Sequence, residues 1–373
     1  MNDARTWRRA NLIALGALIL GAVASILGAV VDPAGFFPAW LCAFLLWLGV
    51  PLGALTLVLV HDLTDGRWMA AARPALNAAI ATMPLAVLAG IPAFISLHEL
   101  YRWTHPAPSL GNTFYLNREF FLFRYLLYAV LWNVLAGYAL WAPRGEATPI
   151  SPALSWLSGI GLLVLAFSAS FAAIDWVLSL EPTVWSSVFP MIAGAGWFNT
   201  GLALVVLVVA LSAPPAAAPS RAAPDPVADL AAILLATTIF WAYVEFCQFL
   251  IIWEENLRFE IPWYLTRWIG IWRPTFLVDI GLGFVLPFFV LLWGPCKRSR
   301  RIVAATSVLI LVSRVADTWW LVLPEFRSGG PFWLDAGTIL ALGAVMALLF
   351  LNRLRWGGLA SGWRLPAWKA GHG

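Results

Sequence analysis

Charge is scarce in this chain: only 11% of its 373 residues are Asp, Glu, Lys or Arg, while 61% are hydrophobic. A typical soluble domain carries about 25% charged residues, so the chain is not a soluble globular protein and leaves almost no residues for a soluble domain. With a mean hydropathy of +0.83, the chain is predicted to be an all-α integral membrane protein. Its net charge of +4 is assigned to membrane topology and not to nucleic-acid binding.

Cysteine and histidine are also scarce, with three and four residues. Cys42, Cys247 and Cys296 form no C-x-x-C or C-x-x-C-H pair, which excludes the usual haem-attachment, zinc and iron–sulfur motifs. No two histidines lie in different predicted spans at matched depth, so a bis-histidine haem is not predicted either. We therefore predict no metal site in this chain, and any redox metal is expected in partner subunits.

Ten stretches are long and apolar enough to cross a bilayer, which takes about 20 apolar residues. They are 11–31, 37–60, 75–97, 119–141, 153–180, 188–212, 227–253, 271–293, 302–323 and 334–352. Most Lys and Arg residues lie at the N-terminus, in the even-numbered loops and in the C-terminal tail. This bias predicts that both termini are cytoplasmic.

Three connecting segments stand out by composition. Segment 213–226, APPAAAPSRAAPDP, is rich in Pro and Ala and is predicted to be a flexible cytoplasmic linker. Loops 98–118 and 254–272 are rich in Trp and Tyr and are predicted to face outward. Their aromatic residues favour either anchoring at the membrane interface or a docking surface for a partner protein.

Six ionisable residues lie inside the predicted spans, nearly all in the outward half of the membrane. They are Arg124, Asp175, Glu245, Asp279, Arg314 and Asp317. A charge buried in lipid costs at least about 2.5–3.5 kcal/mol, so it persists where partners or water receive it. The set predicts a polar chamber inside a helix bundle that handles protons, ions or polar headgroups.

The four acids of this set, Asp279, Glu245, Asp175 and Asp317, are candidates for a proton relay. Asp279 is the central candidate because it lies near the middle of its span. The alternative for Asp279 is a salt bridge with Arg124 or Arg314. Arg314 and Asp317 are spaced i, i+3 on one helix face and are equally compatible with a self-neutralising pair.

Cations, amides and aromatic rings share faces with these acids. Trp241, Glu245, Gln248 and Ile252 form one stripe at helical spacing, and Arg124, Tyr128 and Trp132 form another. Such faces suit a quinone ring, although ordinary packing explains them equally well. The candidates for a quinone headgroup site, or for charge partners of the acids, are Arg124, Tyr128, Arg314, Trp241 and Gln248.

Two stretches are more specific than composition. The first, DWVLSLEPTVWSSVF over 175–189, matches the element D-W-x-x-S-L-(D/E)-P. The second, FWAYVEFCQFLIIW over 240–253, matches an F-W-A-Y…Q…L-I-W element. Together they resemble the NrfD/PsrC-like membrane subunits of alternative complex III, the bacterial quinol:cytochrome c oxidoreductase, and the likeness is greater to the smaller such subunit (ActF-like). The chain departs from that family at Thr183 and Val184, where His and an aromatic residue are common, and at Glu245, where a small or apolar residue is expected.

The resemblance implies two four-helix bundles, over 37–180 and 188–323, flanked by the first and last spans. It also implies a respiratory electron-transport complex in the bacterial inner membrane, with a multihaem cytochrome c subunit, an iron–sulfur subunit and a larger subunit of the same fold. In such a complex the resemblance implies that this chain contributes a proton path, and its fold makes a quinone or quinol site possible. The larger subunit is the better candidate for quinol oxidation.

Two other functions remain open from the sequence. Acids inside a membrane bundle also suit a proton-coupled secondary transporter, in which broken helices are common. The third possibility is a structural anchor for a peripheral redox subunit, with charges that only pair with one another.

Overall fold

Ten long apolar helices are present in the part of the chain that the computed structural model describes, residues 2–66, 68–105, 113–142, 150–212, 225–330 and 332–360. We number them α1 (Asn2–Val31), α2 (Pro33–Thr64), α3 (Met69–Ile95), α4 (Arg118–Trp141), α5 (Pro152–Trp176), α6 (Phe189–Ser212), α7 (Pro226–Glu255), α8 (Trp272–Leu292), α9 (Arg300–Val322) and α10 (Trp333–Ala360). All ten predicted spans are confirmed as helices, and no strand occurs in the described ranges. The predicted linker lies outside them, apart from Asp225 and Pro226.

The outer surface of the bundle is apolar. Leu20 is 71% exposed on α1, and Phe167 is 66% exposed on α5. Large exposed apolar areas of this kind mark contact with lipid or with other proteins. With ten spanning helices, this is a multi-pass membrane protein whose surface contacts lipid.

Proline explains the two interruptions of α3, which consists of Met69–Ile80, Met83–Leu88 and Ile91–Ile95. Pro84 and Pro92 lack the N–H that would bind the carbonyl four residues earlier. Those carbonyls belong to Ile80 and Leu88, the residues at which the first two pieces end.

Helices α2 and α6 cross at the centre of the molecule because glycines let their backbones approach. A Cβ atom on Gly53 would lie 2.7 Å from the Trp197 carbonyl oxygen and 2.8 Å from the Gly201 Cα atom. Gly49 and Gly53 have the small-x-x-x-small spacing of close helix pairs in membranes. Since this contact joins the two predicted four-helix bundles, they pack as neighbours, and the division between them stays a prediction.

Replacing Gly53 with alanine is expected to destabilise the protein by about 1–3 kcal/mol, the usual cost of overpacking. The added methyl group meets backbone atoms, so only a separation of α2 and α6 relieves the clash. Thermal unfolding in detergent measures the effect. Gly137→Ala is the control, because a Cβ atom at Gly137 meets nothing within 4 Å; equal midpoints for the two variants would contradict the close crossing.

The even number of helices places the start of α1 and the end of α10 at the same end of the bundle. The opposite end holds the short helix Ile261–Arg267 between α7 and α8, and we call it the aromatic end. The candidate site residues lie in the half of the bundle nearest this aromatic end.

Candidate functional site

Arg314 of α9 is the centre of a buried polar cluster. Its Nη2 atom donates to Asp279 Oδ1 of α8 at 3.0 Å, and its Nη1 atom donates to Asp317 Oδ2 at 3.4 Å. All three side chains are at least nine-tenths buried. The salt bridge considered for Asp279 is therefore present, with Arg314 as its partner, and so is the i, i+3 pair of Arg314 and Asp317.

The guanidinium group fits because glycines line two sides of it. A Cβ atom on Gly196 of α6 would lie 3.4 Å from Arg314 Nη1, and one on Gly283 of α8 would lie 3.0 Å from Nη2. Gly283 belongs to a π-helical turn, Gly281–Val285, followed by Pro287. Because Pro287 lacks an N–H, the Gly283 carbonyl loses its usual helical donor. Short π-helical turns are frequent at functional sites.

Trp241 and a small cavity complete the surroundings of Arg314. The guanidinium carbon lies 3.9 Å from the centre of the Trp241 ring, a favourable cation–π arrangement. A cavity of about 30 Å³ is lined by Arg314, Asp317, Thr200 and Thr318 among others, and it is large enough for one water molecule. Asp317 Oδ1 is buried and has no hydrogen-bond partner in the described ranges.

Glu245 lies one turn after Trp241 on α7, and its side chain is the least restrained acid of the site. Glu245 is 8% exposed. Its carboxyl group makes no hydrogen bond or ion pair with the residues that the structure describes. The Glu245 carboxyl interacts electrostatically with the charges of Arg314 and Asp317. It also interacts electrostatically with the Asp279 carboxyl. Of the six residues predicted to share one chamber, Glu245, Asp279, Arg314 and Asp317 lie near one another, whereas Arg124 and Asp175 pair with each other in a second cluster. The role of the acids as a relay stays a prediction.

The carboxyl groups of this cluster outnumber its cations. Arg314 pairs with Asp279 and Asp317, Glu245 lies within the range of its charge, and no second cation pairs with these three acids within the described part of the chain. If all three carboxyls were ionised, excess negative charge would lie in an apolar bundle, which is costly. The cluster therefore has the capacity to hold protons on its carboxyl groups.

Arg124 of α4 and Asp175 of α5 form a second, closed cluster. Arg124 Nε donates to Asp175 Oδ2 at 2.8 Å, and Nη2 donates to Oδ1 at 2.9 Å. The Tyr128 hydroxyl donates to Oδ2 at 2.7 Å, and Arg124 Nη1 donates to the Tyr115 carbonyl at 2.9 Å. This bidentate geometry is the strong form of the ion pair. The relay role of Asp175 and the quinone role of Arg124 and Tyr128 stay predictions, and the contacts are those of a neutral pair joining two helices.

The residues after Asp175 explain the first specific stretch structurally. The Ser179 hydroxyl donates to the Asp175 carbonyl at 2.5 Å, and the Tyr101 hydroxyl donates to the Trp176 carbonyl at 3.1 Å. Arg102 Nη1 donates to Glu181 at 2.7 Å. This stretch therefore ends α5 and ties it to the segment after α3.

Gln248 has a partner from the segment before α6. Its Oε1 atom accepts a hydrogen bond from the Ser186 hydroxyl at 2.5 Å. Ser186 Oγ in turn accepts from the backbone N–H groups of Val188 and Phe189 at the start of α6. The contact positions α6 relative to α7, and the quinone role of Gln248 stays a prediction.

Arg267 was missed by the sequence reasoning. It is 1% exposed, and its Nη1 atom lies 2.9 Å from Glu325 Oε1. Its Nε and Nη2 atoms donate to the carbonyls of Trp320 and Leu321. Burial lowers the pKa of Arg267 to about 10, against the opposing effect of Glu325, so it remains charged at neutral pH. These bonds fix the short helix Ile261–Arg267 across the end of α9. In the sequence, the feature that could have pointed to Arg267 was a basic residue within a Trp-rich loop.

Tyr264 of the same short helix belongs to the predicted aromatic loop but was not among the predicted site residues. It packs edge-to-face against Phe249 and Trp263, and its buried hydroxyl has no hydrogen-bond partner in the described ranges. Burial, together with the nearby Glu245 carboxyl, raises the pKa of Tyr264. The hydroxyl therefore keeps its proton and is available as a donor.

The His, Cys, Asp and Glu side chains of the described ranges form no group of three or more that is arranged to hold a metal ion. Scans against known protein families and against curated proteins found no match to this chain.

Proposed function

We propose that this chain is a membrane subunit of a quinol:electron-acceptor oxidoreductase and that the Arg314 cluster is its proton path. Quinol oxidation releases two protons with two electrons. The electrons pass to a haem or iron–sulfur centre in a partner subunit, and the protons need acids to receive them. The observation that carries the proposal is the excess of buried carboxyl groups around Arg314.

The contrast between the two clusters supports this assignment. The Arg124–Asp175 pair is saturated by hydrogen bonds. In contrast, Asp317 Oδ1 has no hydrogen-bond partner among the described residues, and Glu245 forms no hydrogen bond or ion pair with them. A group that takes up and releases protons needs an oxygen that is free to hydrogen-bond to water or to another acid, because the proton moves along that hydrogen bond. The proton path is therefore assigned to α7, α8 and α9.

The rest of the assignment follows from the family resemblance and the charge bias. The expected partners are a multihaem cytochrome c subunit, an iron–sulfur subunit and a larger NrfD/PsrC-like subunit. The expected location is the bacterial cytoplasmic membrane with both termini in the cytoplasm, which puts the Arg314 cluster in the outward half. Protons released there leave toward the outer side.

Asp317→Asn is expected to slow quinol-dependent acceptor reduction by roughly tenfold or more, because a positioned proton-transfer group contributes at least that much. The assay uses the complex purified with its own partners. Asp229→Asn is the matched control, since Asp229 lies exposed on α7, and it should leave turnover unchanged. A complex that oxidises quinol at the full rate without this chain would overturn the proposal.

A further inference from the structure

A large apolar cavity lies beside the Arg314 cluster, between α7, α8 and the short helix Ile261–Arg267. Its volume is about 730 Å³, within the range of small-molecule pockets. Its walls are mainly aromatic and include Phe249, Trp253, Trp268, Phe276, Phe284 and Trp320. Aromatic walls favour a flat ring, which stacks against them or meets their edges.

Two buried side chains, one with a carboxyl and one with a phenol hydroxyl, converge on this cavity. Glu245 and Tyr264 both line it, and each residue is 8% exposed. The buried Tyr264 hydroxyl has no hydrogen-bond partner in the described ranges, and the Glu245 carboxyl, which lines the cavity, forms no hydrogen bond or ion pair there. A buried polar group left without a partner destabilises the protein, because it has lost its hydrogen bonds to water and gained none in return. A ligand with two hydrogen-bonding oxygens on a ring would satisfy both.

The cavity is reached from the lipid-facing surface. Tyr243, Phe246 and Leu265 line it and are 62%, 59% and 49% exposed. A ligand can therefore enter sideways from the bilayer and leave an apolar tail along α7.

The lining argues against a phospholipid headgroup. Among the described lining residues there is no Lys or Arg, and Glu245 is an acid. A phosphate group would meet no cation there, whereas a neutral ring with carbonyl or hydroxyl groups meets a carboxyl and a phenol.

We propose that this cavity binds the ring of an isoprenoid quinone or quinol, with Glu245 and Tyr264 as its hydrogen-bonding partners. The inference rests on the proposed function and specifies where in this chain the ligand binds. It places the ring between α7 and α8, away from the Arg124–Asp175 pair. Within the Arg314 cluster, Glu245 is then the acid nearest the ligand, where it can pass a proton from the ligand toward Asp317 and Asp279.

Photolabelling tests the site without any turnover. The probe is an azido-naphthoquinone with a short isoprenoid tail, added to the purified complex in nanodiscs and mapped by mass spectrometry. Labels are expected in segments 239–253 and 264–284. Glu245→Gln and Tyr264→Phe should each weaken labelling roughly tenfold, as for the loss of one hydrogen bond, while the exposed Glu254→Gln should not.

Labelling confined to the helices around Arg124 would overturn the inference. So would labelling at the cavity that excess phosphatidylglycerol displaces but excess unlabelled quinone does not, because the occupant would then be lipid. If the cavity is labelled as expected and the Glu245→Gln complex still oxidises quinol at the full rate, the binding site stands and the proton path of the proposed function fails.

Discussion

Replacing Arg314 with leucine is expected to destabilise the protein by about 3–5 kcal/mol, the usual cost of removing one partner of a buried ion pair. The variant leaves Asp279 and Asp317 without the cation that neutralises them. It also removes the group that packs over Trp241 and fills the space beside Gly196 and Gly283. We expect a large loss of folded protein in the membrane and a lowered unfolding temperature in detergent.

Two variants make this result specific. Arg301→Leu makes the same substitution at an exposed position of α9 and should leave the unfolding temperature unchanged. Arg314→Lys keeps the charge but loses the two-sided guanidinium geometry, so its stability should be intermediate. If Arg314→Leu were as stable as Arg301→Leu, the cluster would not be held by Arg314.

Asp279→Asn is expected to lower quinol-dependent turnover about 100-fold, the lower part of the range for a positioned acid or base. Asparagine retains the size of the side chain and an oxygen that accepts from Arg314, so the complex should still assemble. Turnover and the amount of assembled complex are measured on the same preparation, with Asp229→Asn as the control.

Asp279→Ala separates a relay from a purely structural ion pair. Alanine leaves Arg314 with one ion-pair partner instead of two, so a failure of both alanine and asparagine variants to assemble would indicate a structural role alone. Normal turnover in an assembled Asp279→Asn complex would remove the central member of the proposed relay.

The spanning helices follow from the sequence because a long apolar run in lipid has few alternatives to a helix, whose backbone hydrogen bonds are all internal. The interruptions of α3 were not predicted, although Pro84 and Pro92 were visible, because a proline in a membrane helix only kinks it in many cases. The π-helical turn beside Arg314 was also not predicted. Within that turn Gly283 packs against Ser313 of α9, and a single sequence does not show that contact.

The buried ionisable residues were predicted from the energetic cost of a charge in lipid, but their ion-pair partners could be predicted only in part from the sequence. Arg314 and Asp317 lie on one helix, so their spacing revealed the pair. Arg124 and Asp175 lie on different helices, and only the packing of α4 against α5 brings them together. Tyr264 was not predicted as a site residue because a tyrosine in a loop is common at a membrane interface. The structure draws attention to it because it lines the large apolar cavity.

Co-purification tests the central claim most directly. The chain is tagged at its C-terminus and extracted from its native membranes in mild detergent. A reduced-minus-oxidised spectrum is then recorded, and the co-purifying chains are identified by mass spectrometry. The proposed function predicts c-type haem bands, an iron–sulfur subunit and a larger subunit of the same fold. A colourless protein that purifies alone would contradict it and favour a proton-coupled transporter.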